Sequence, residues 1–322
     1  MFYKDKKVLV TGGTGFFGTN FIEELVRQGA RVRVPIHKRP LRVKSPLVEA
    51  VPGDITRLDE CVALCKDMQY VIHAGGAVSA AGVTASNPMA VITTDLVVTS
   101  QMLQAAWAAG VERFCLLSST TIYPAADHAV KEEEAWSGPT YPVYFAYGWM
   151  RRYLERLSEF VSQKSKMKIA LVRPTAVYGP HDDFHPVTSH VVPALIRKAV
   201  EGLDPYEVWG TGDEVRDFVY VTDAVKGSLL CLEKYATGDP VNLGYGKSFT
   251  IKDVVRIVLK GAGHDKAKIF FDSSKPTTIH FRMVDISKAR KVLGFEPQVS
   301  LEQGLNQTIA WYKNNTKLAH GG

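Results

Sequence analysis

Tyr147 and Arg151 lie four residues apart, a spacing that places a phenol and a guanidinium on one face of a helix. A cation so placed lowers a phenol pKa and makes the hydroxyl a usable acid or base near neutral pH. A second constellation sits near the start of the chain. The run Val8-Leu9-Val10-Thr11 breaks into glycines, and Gly12, Gly15 and Gly18 recur at every third residue. Glycines at that spacing let a chain turn tightly after a strand, bring backbone close to a pyrophosphate and seat the next helix on the sheet, its N-terminal amides toward the anion. Residues 6–10 read as the strand, 17–28 as the amphipathic helix and Gly29 as its stop, with Phe16 and Phe17 at the phosphate end. The pattern predicts a dinucleotide site.

These groups need a scaffold. Strand-like runs at 31–34, 70–73, 113–118, 168–173 and 241–243 alternate with longer amphipathic stretches, which predicts an α/β, Rossmann-type fold on a doubly wound parallel sheet. The rhythm changes between 179 and 216 and again after 248, where Pro180, Pro186, Pro193, Pro205, Pro276 and Pro297 punctuate the chain. The expected division is a dinucleotide-binding domain of residues 1–180 and 217–248 and a smaller α/β substrate lobe of residues 181–216 and 249–322.

Composition excludes several classes. The chain has 322 residues, 46% of them apolar, enough to bury more than one core. It holds no run of 18 apolar residues, and its first seven residues are too polar for a signal peptide, so a cytoplasmic protein with no membrane contact is expected. Cys61 and Cys65 sit a helical turn apart without a neighbouring Cys/His pair, and Cys115 and Cys231 are isolated; buried thiols and no metal are expected. The net charge of +6 is dispersed over the chain without a nucleic-acid motif, which points to a small anionic ligand and away from nucleic acid.

The end of the second strand decides the cofactor, because an acidic residue there holds the adenosine ribose and repels a 2′-phosphate. Here Ile36 is followed by His37, Lys38 and Arg39, a cluster able to pair with a 2′-phosphate, so NADP is expected over NAD. Asp54 and Ile55 are expected near the adenine edge, with the small residues Ala74 and Gly75 lining the cofactor.

Further segments carry a resemblance. Ser118-Ser119-Thr120-Thr121-Ile122-Tyr123-Pro124, Tyr147-Gly148-Trp149-Met150-Arg151, Arg173-Pro174-Thr175-Ala176-Val177-Tyr178-Gly179-Pro180 and Arg216-Asp217-Phe218-Val219-Tyr220-Val221, with the glycines, resemble the extended short-chain dehydrogenases/reductases that act on nucleotide sugars. The match spans nearly the whole chain. Within that group, residues 179–186, 189–195 and 208–212 and Ser274-Lys275-Pro276 are similar to the GDP-L-fucose synthase family, which epimerises and then reduces a GDP-4-keto-6-deoxy sugar with NADPH. The resemblance implies that Tyr147, Arg151 and Pro174 border the cofactor, that Ser119 hydrogen-bonds the sugar C4 oxygen, and that His190 serves epimerisation. It implies Arg216, Lys275 and Arg282 for the diphosphate, Trp209 against the nucleotide, and Arg197 and Lys198 as further phosphate contacts. It also implies a homodimer paired through two long helices, at 87–109 and 144–162.

Two residues depart from the family pattern. Where the family has lysine, this chain has Arg151, which stays charged but presents a bulkier planar fork and holds ribose hydroxyls differently. The family's epimerising cysteine aligns with Thr121, whose hydroxyl is too weak a base at neutral pH without an activating partner. The expected activity is therefore NADP-dependent reduction of a GDP-4-keto-6-deoxyhexose, with no support from Thr121 for double epimerisation. Threonine at this position is also what nucleotide-sugar 4-epimerases show, which makes that activity the alternative, and Arg151 keeps open a catalytically weak dinucleotide-binding regulatory protein.

Overall fold

The computed structural model describes residues 1–37, 39–76, 88–275 and 277–316. Short runs of Val, Ile and Leu buried on both faces suit the middle of a parallel sheet covered by helices. Strands β1 (Lys7–Thr11), β2 (Arg31–Ile36), β3 (Val48–Pro52), β4 (Tyr70–His73) and β5 (Arg113–Leu117) form most of such a sheet. After the short β6 (Ala129–Val130), β7 (Lys168–Pro174) joins it, and so does the later strand Pro240–Leu243. Every pairing in this seven-stranded sheet is parallel, with β3 at one edge and Pro240–Leu243 at the other.

Strand β3 lies outside the sequence expectation. It is a half-exposed edge strand that ends in Pro52, a residue tolerated at an edge because it has no amide to donate. The order in which strands are added reverses at β1, which is flanked by β2 on one side and β4 on the other. In open parallel sheets that switch point opens a crevice beyond the strand ends where ligands bind.

Of the remaining strands, β9 (Tyr206–Trp209), β10 (Val215–Arg216), β13 (Phe249–Thr250), β14 (Ile269–Asp272) and β15 (Phe281–Val284) fall in the residues expected for the smaller lobe, β8 (Ala176–Tyr178) and β11 (Phe218–Tyr220) in those expected for the dinucleotide-binding domain, and the main sheet's Pro240–Leu243 is β12. Strands β13, β10, β15 and β6 make one small sheet; β8 with β11 and β9 with β14 make two ribbons. The helices Val191–Val200, Ile251–Ala262 and Leu301–Asn314 close a core of Tyr178, Phe184, Leu195, Ile196, Val254 and Leu305. Traffic between the two parts is repeated: β6 extends the lobe's sheet, while Ile286, Ala289, Leu293 and Phe295 return to the core of the large sheet.

The helix Phe145–Lys164 is inverted in polarity. Its inner face buries Arg151, Arg152 and Glu155, whereas Trp149, Tyr153 and Phe160 on its outer face are exposed. Buried charge of this kind is tolerated only when every group is satisfied. Arg152 donates from Nε to the Ile122 carbonyl at 3.0 Å and from Nη2 to the Gly138 carbonyl at 2.8 Å. Glu155 receives Arg173 Nε and Nη2 at 2.9 and 2.6 Å, and Ser118 Oγ at 2.5 Å. The four cysteines are free and buried, and among the described residues no helix is long and apolar enough to cross a membrane.

Candidate active site

The first turn after β1 is shaped for close approach. Gly12 has a φ of +67°, and a Cβ there would lie 2.6 Å from the Ala74 carbonyl oxygen, so a side chain is excluded both by conformation and by space. Gly15 is the N-cap of the helix Phe16–Arg27, with Gly18 inside its first turn. The cap makes no side-chain hydrogen bond and the first turn carries no acidic residue, which leaves the leading amides to an anion. Ala74 and Gly75 lie alongside: the Gly75 amide donates to Thr11 Oγ1 at 3.1 Å, and Ile55 packs where a Gly75 side chain would stand. These residues fit a dinucleotide. Asp54 accepts from the Thr56 amide and hydroxyl at 2.9 and 2.7 Å, which holds its carboxyl below the usual range.

At the end of β2, His37 and Arg39 follow as expected in sequence, while Lys38 lies outside the described residues. The sequence reading missed Arg42. Its guanidinium reaches the His181 carbonyl, and burial and the charge of Arg39 both pull its pKa down. A half-buried guanidinium that lies close enough to Arg39 for its pKa to be lowered favours a multiply charged anion beside it. The signal was the spacing of Arg39 and Arg42 on either side of Pro40.

The candidate acid/base residues meet at the end of β5. Ser119 caps the turn Thr120–Ile122, and its Oγ accepts from the Thr121 amide at 3.2 Å and from Thr121 Oγ1 at 3.0 Å. Both acceptor positions of Ser119 are thereby filled, so its own proton is the group left to offer. The Thr121 hydroxyl is spent on Ser119 rather than on a base. Gly148 brings the helix Phe145–Lys164 hard against this turn, since a Cβ there would lie 2.6 Å from the Thr121 carbonyl oxygen.

Tyr147 and Arg151 do share a face of that helix. Arg151 donates to the Tyr147 hydroxyl from Nε at 3.1 Å and from Nη2 at 2.8 Å, and Nη1 reaches the Leu117 carbonyl at 3.1 Å. The expected lowering of the phenol pKa is corrected by the structure. Burial, the largest influence, raises it, and Asp95 opposes the lowering effect of Arg151. Asp95, which the sequence reading did not single out, sits on the helix Pro88–Ala108 and binds Arg151 Nη2 through Oδ2 at 2.5 Å. Behind the pair, His73 bridges Thr11 Oγ1 at 2.9 Å and Thr99 Oγ1 at 3.1 Å, and burial together with the Arg151 charge pushes its pKa down to about 3. His73 is thus a neutral imidazole at physiological pH.

His190 stands apart from this cluster. It is the N-cap of the helix Val191–Val200, its ring has no hydrogen-bond partner among the described residues, and burial lowers its pKa against the opposing charge of Asp183. Pro174 closes β7 opposite Leu243.

In the lobe, Arg216 and Arg282 are register partners on β10 and β15. Among the described residues Arg216 reaches only the Val215 and His280 carbonyls and Thr278 Oγ1, at 2.8, 3.3 and 3.3 Å. Arg282 is buried with Nη2 unpartnered, and burial together with the Arg216 charge pushes it down to about 10. Lys275 holds its ammonium 5.9 Å from the ring centroid of the half-exposed Trp209. Arg197 and Lys198 are committed elsewhere, to Glu201 Oε2 at 2.7 Å and to the Glu207 carbonyl at 2.8 Å. Arg197 Nε has no partner among the described residues.

The sequence pattern of the NAD dependent epimerase/dehydratase family matches residues 8–244. A GDP-L-fucose synthase of Arabidopsis thaliana is 29% identical over 97% of this chain and 94% of its own. A dTDP-4-dehydro-6-deoxy-D-allose reductase of Streptomyces bikiniensis is 28% identical over 97% and 98%. A solved epimerase of Methanothermobacter thermautotrophicus superposes with a TM-score of 0.88 at 25% identity, covering 98% of this chain and 95% of its own. The glycine turn, the tyrosine at the β5 end and these full-length similarities place the chain in the NAD dependent epimerase/dehydratase family, as an NAD(P)-dependent enzyme of the nucleotide-sugar reductase/epimerase type.

Proposed function

We propose that the protein is an NADP-dependent reductase of nucleotide-linked 4-keto-6-deoxyhexoses, GDP-linked in the first instance, that does not epimerise its substrate. The observation that carries this reading is the pairing at the β5 end: Tyr147 is held by two Arg151 nitrogens while the Thr121 hydroxyl is bound to Ser119. One group there is equipped to give a proton to an oxygen, and none beside it is equipped to take one from carbon.

When bound on the glycine turn, the reduced nicotinamide supplies the hydride. Tyr147 gives its proton to the C4 oxygen, Ser119 donates a hydrogen bond to the same oxygen, and the two Arg151 N–H groups hold the phenolate that results. Arg216, Arg282 and Lys275 hold the diphosphate, Trp209 packs against the nucleotide, and His190 contributes to sugar binding rather than to proton transfer at C3 or C5. Arg39 and Arg42, with Lys38, support NADP over NAD through the 2′-phosphate. Exposed Trp107, Trp149, Tyr153 and Phe160 on the packed helices Pro88–Ala108 and Phe145–Lys164 supply an apolar face for a homodimer.

A second reading, nucleotide-sugar 4-epimerisation, draws on Thr121 and on the epimerase that superposes on this fold. Incubation with GDP-, dTDP- and UDP-linked 4-keto-6-deoxyhexoses and NADPH separates the two. Net NADPH oxidation is expected, fastest with the GDP sugar. Interconversion of UDP-hexoses with no net oxidation, on retained NAD, would replace this reading by the second.

A further inference from the structure

Arg151 spends all three of its nitrogens, and Asp95 supplies its carboxylate contact. The contact is built rather than incidental. The Asp95 side chain is 1% exposed, and a Cβ at Gly76 would lie 2.3 Å from Asp95 Oδ1, so the carboxylate occupies space that a larger residue at 76 would take. A single nitrogen, Nη2, reaches both Asp95 Oδ2 at 2.5 Å and the Tyr147 hydroxyl at 2.8 Å. The planar fork adds Nε at 3.1 Å as a second donor to the phenol, so Arg151 keeps hold of Tyr147 while bound to the carboxylate, whereas a lone ammonium has one nitrogen to divide between them.

We propose that Asp95 is the positioning residue that adapts this site to arginine, and that Asp95 and Arg151 work as one exchangeable unit that keeps Tyr147 a proton donor. The pair is neutral as a whole, so its pull toward the phenolate is weaker than that of a bare cation. Among the described residues two further titratable groups face the pair. His73 is neutral between Thr11 and Thr99, and Glu155, one turn further along the helix, is matched by Arg173. The direction of proton flow rests on the reductase reading; the pairing does not.

The test uses the full chain and two readouts. Titrating Tyr147 by the near-ultraviolet phenolate absorbance, taken as the difference from Tyr147→Phe, needs no substrate. Asp95→Asn is expected to lower that titration by about one pH unit, and an unchanged titration overturns the proposal. In ketosugar turnover, Arg151→Lys alone is expected to lose about tenfold, with the double variant Asp95→Asn/Arg151→Lys recovering much of it through a non-additive gain. Strict additivity overturns the proposal. So does a faster Arg151→Lys single variant, which also decides the matter if Asp95→Asn does not fold. If no ketosugar is reduced, the reductase reading fails while the phenolate titration still judges the pair.

Discussion

Arg216 and Arg282 stand opposite one another in adjacent parallel strands, with no carboxylate within ion-pair distance of either among the described residues. Neither Asp213 nor Asp217 takes the role of partner: the first binds Lys252 and the second accepts the Tyr245 and Gly246 amides. Two guanidiniums held together without an anion are an unfavourable arrangement that a diphosphate relieves. Replacing either by methionine is expected to raise KM for the nucleotide sugar by roughly 10- to 100-fold, from the loss of about 1.5–3 kcal/mol per charged hydrogen bond. Steady-state kinetics should show kcat nearly unchanged, because this binding is shared by ground and transition states.

Cofactor choice is predicted to reside in the loop after β2. Arg39→Ala and Arg42→Ala should each raise KM for NADPH by about tenfold and leave KM for NADH within about twofold, since only the 2′-phosphate is affected. Equal losses for both cofactors would place these arginines in structural support instead.

The buried pair Arg173 and Glu155 is predicted to govern stability. Arg173 is fully buried and also donates to the Tyr123 hydroxyl and the Glu132 carbonyl, at 2.9 and 2.8 Å. Arg173→Met leaves Glu155 charged and unpaired in the interior, and should cost about 3–5 kcal/mol in urea unfolding. A change under about 1 kcal/mol would mean that the site relaxes to admit water.

Asp182 gives a pH signature. It is buried with Oδ2 unpartnered, and burial raises its pKa to about 8. A carboxyl whose folded pKa lies above its unfolded one contributes stability that is full below the unfolded value, about 3.9, and is lost as pH rises through the folded value. The Asp182 contribution to Tm should therefore fall between about pH 4 and pH 8, so that wild type loses Tm relative to Asp182→Asn across that range. Parallel curves for the two proteins would contradict this.

Legibility followed sequence distance. Gly12, Gly15 and Gly18 with β1 form one local unit, so their pattern reads directly as a strand, a turn and an anion-facing helix start. Tyr147 and Arg151 were visible for the same reason, being one helical turn apart. Asp95 was not, because its partner lies 56 residues away and a lone aspartate in a helical stretch carries no local signal. That omission is why the phenol pKa was expected to fall. Strand β3 escaped because its exposed edge lacks a hydrophobic run. The Arg197–Glu201 pair is also one helical turn apart and so legible in sequence, whereas the Lys198 contact with Glu207 needs the fold to bring β9 back to the helix.

The central claim, reduction without epimerisation, is tested most directly in deuterated water with enzyme, NADPH and GDP-4-keto-6-deoxymannose. The account predicts stoichiometric loss of dihydronicotinamide absorbance and a product free of deuterium at C3 and C5. Deuterium at either carbon would contradict the assignment of Thr121 as a non-base, and bound NADPH that is never oxidised would contradict the reductase itself.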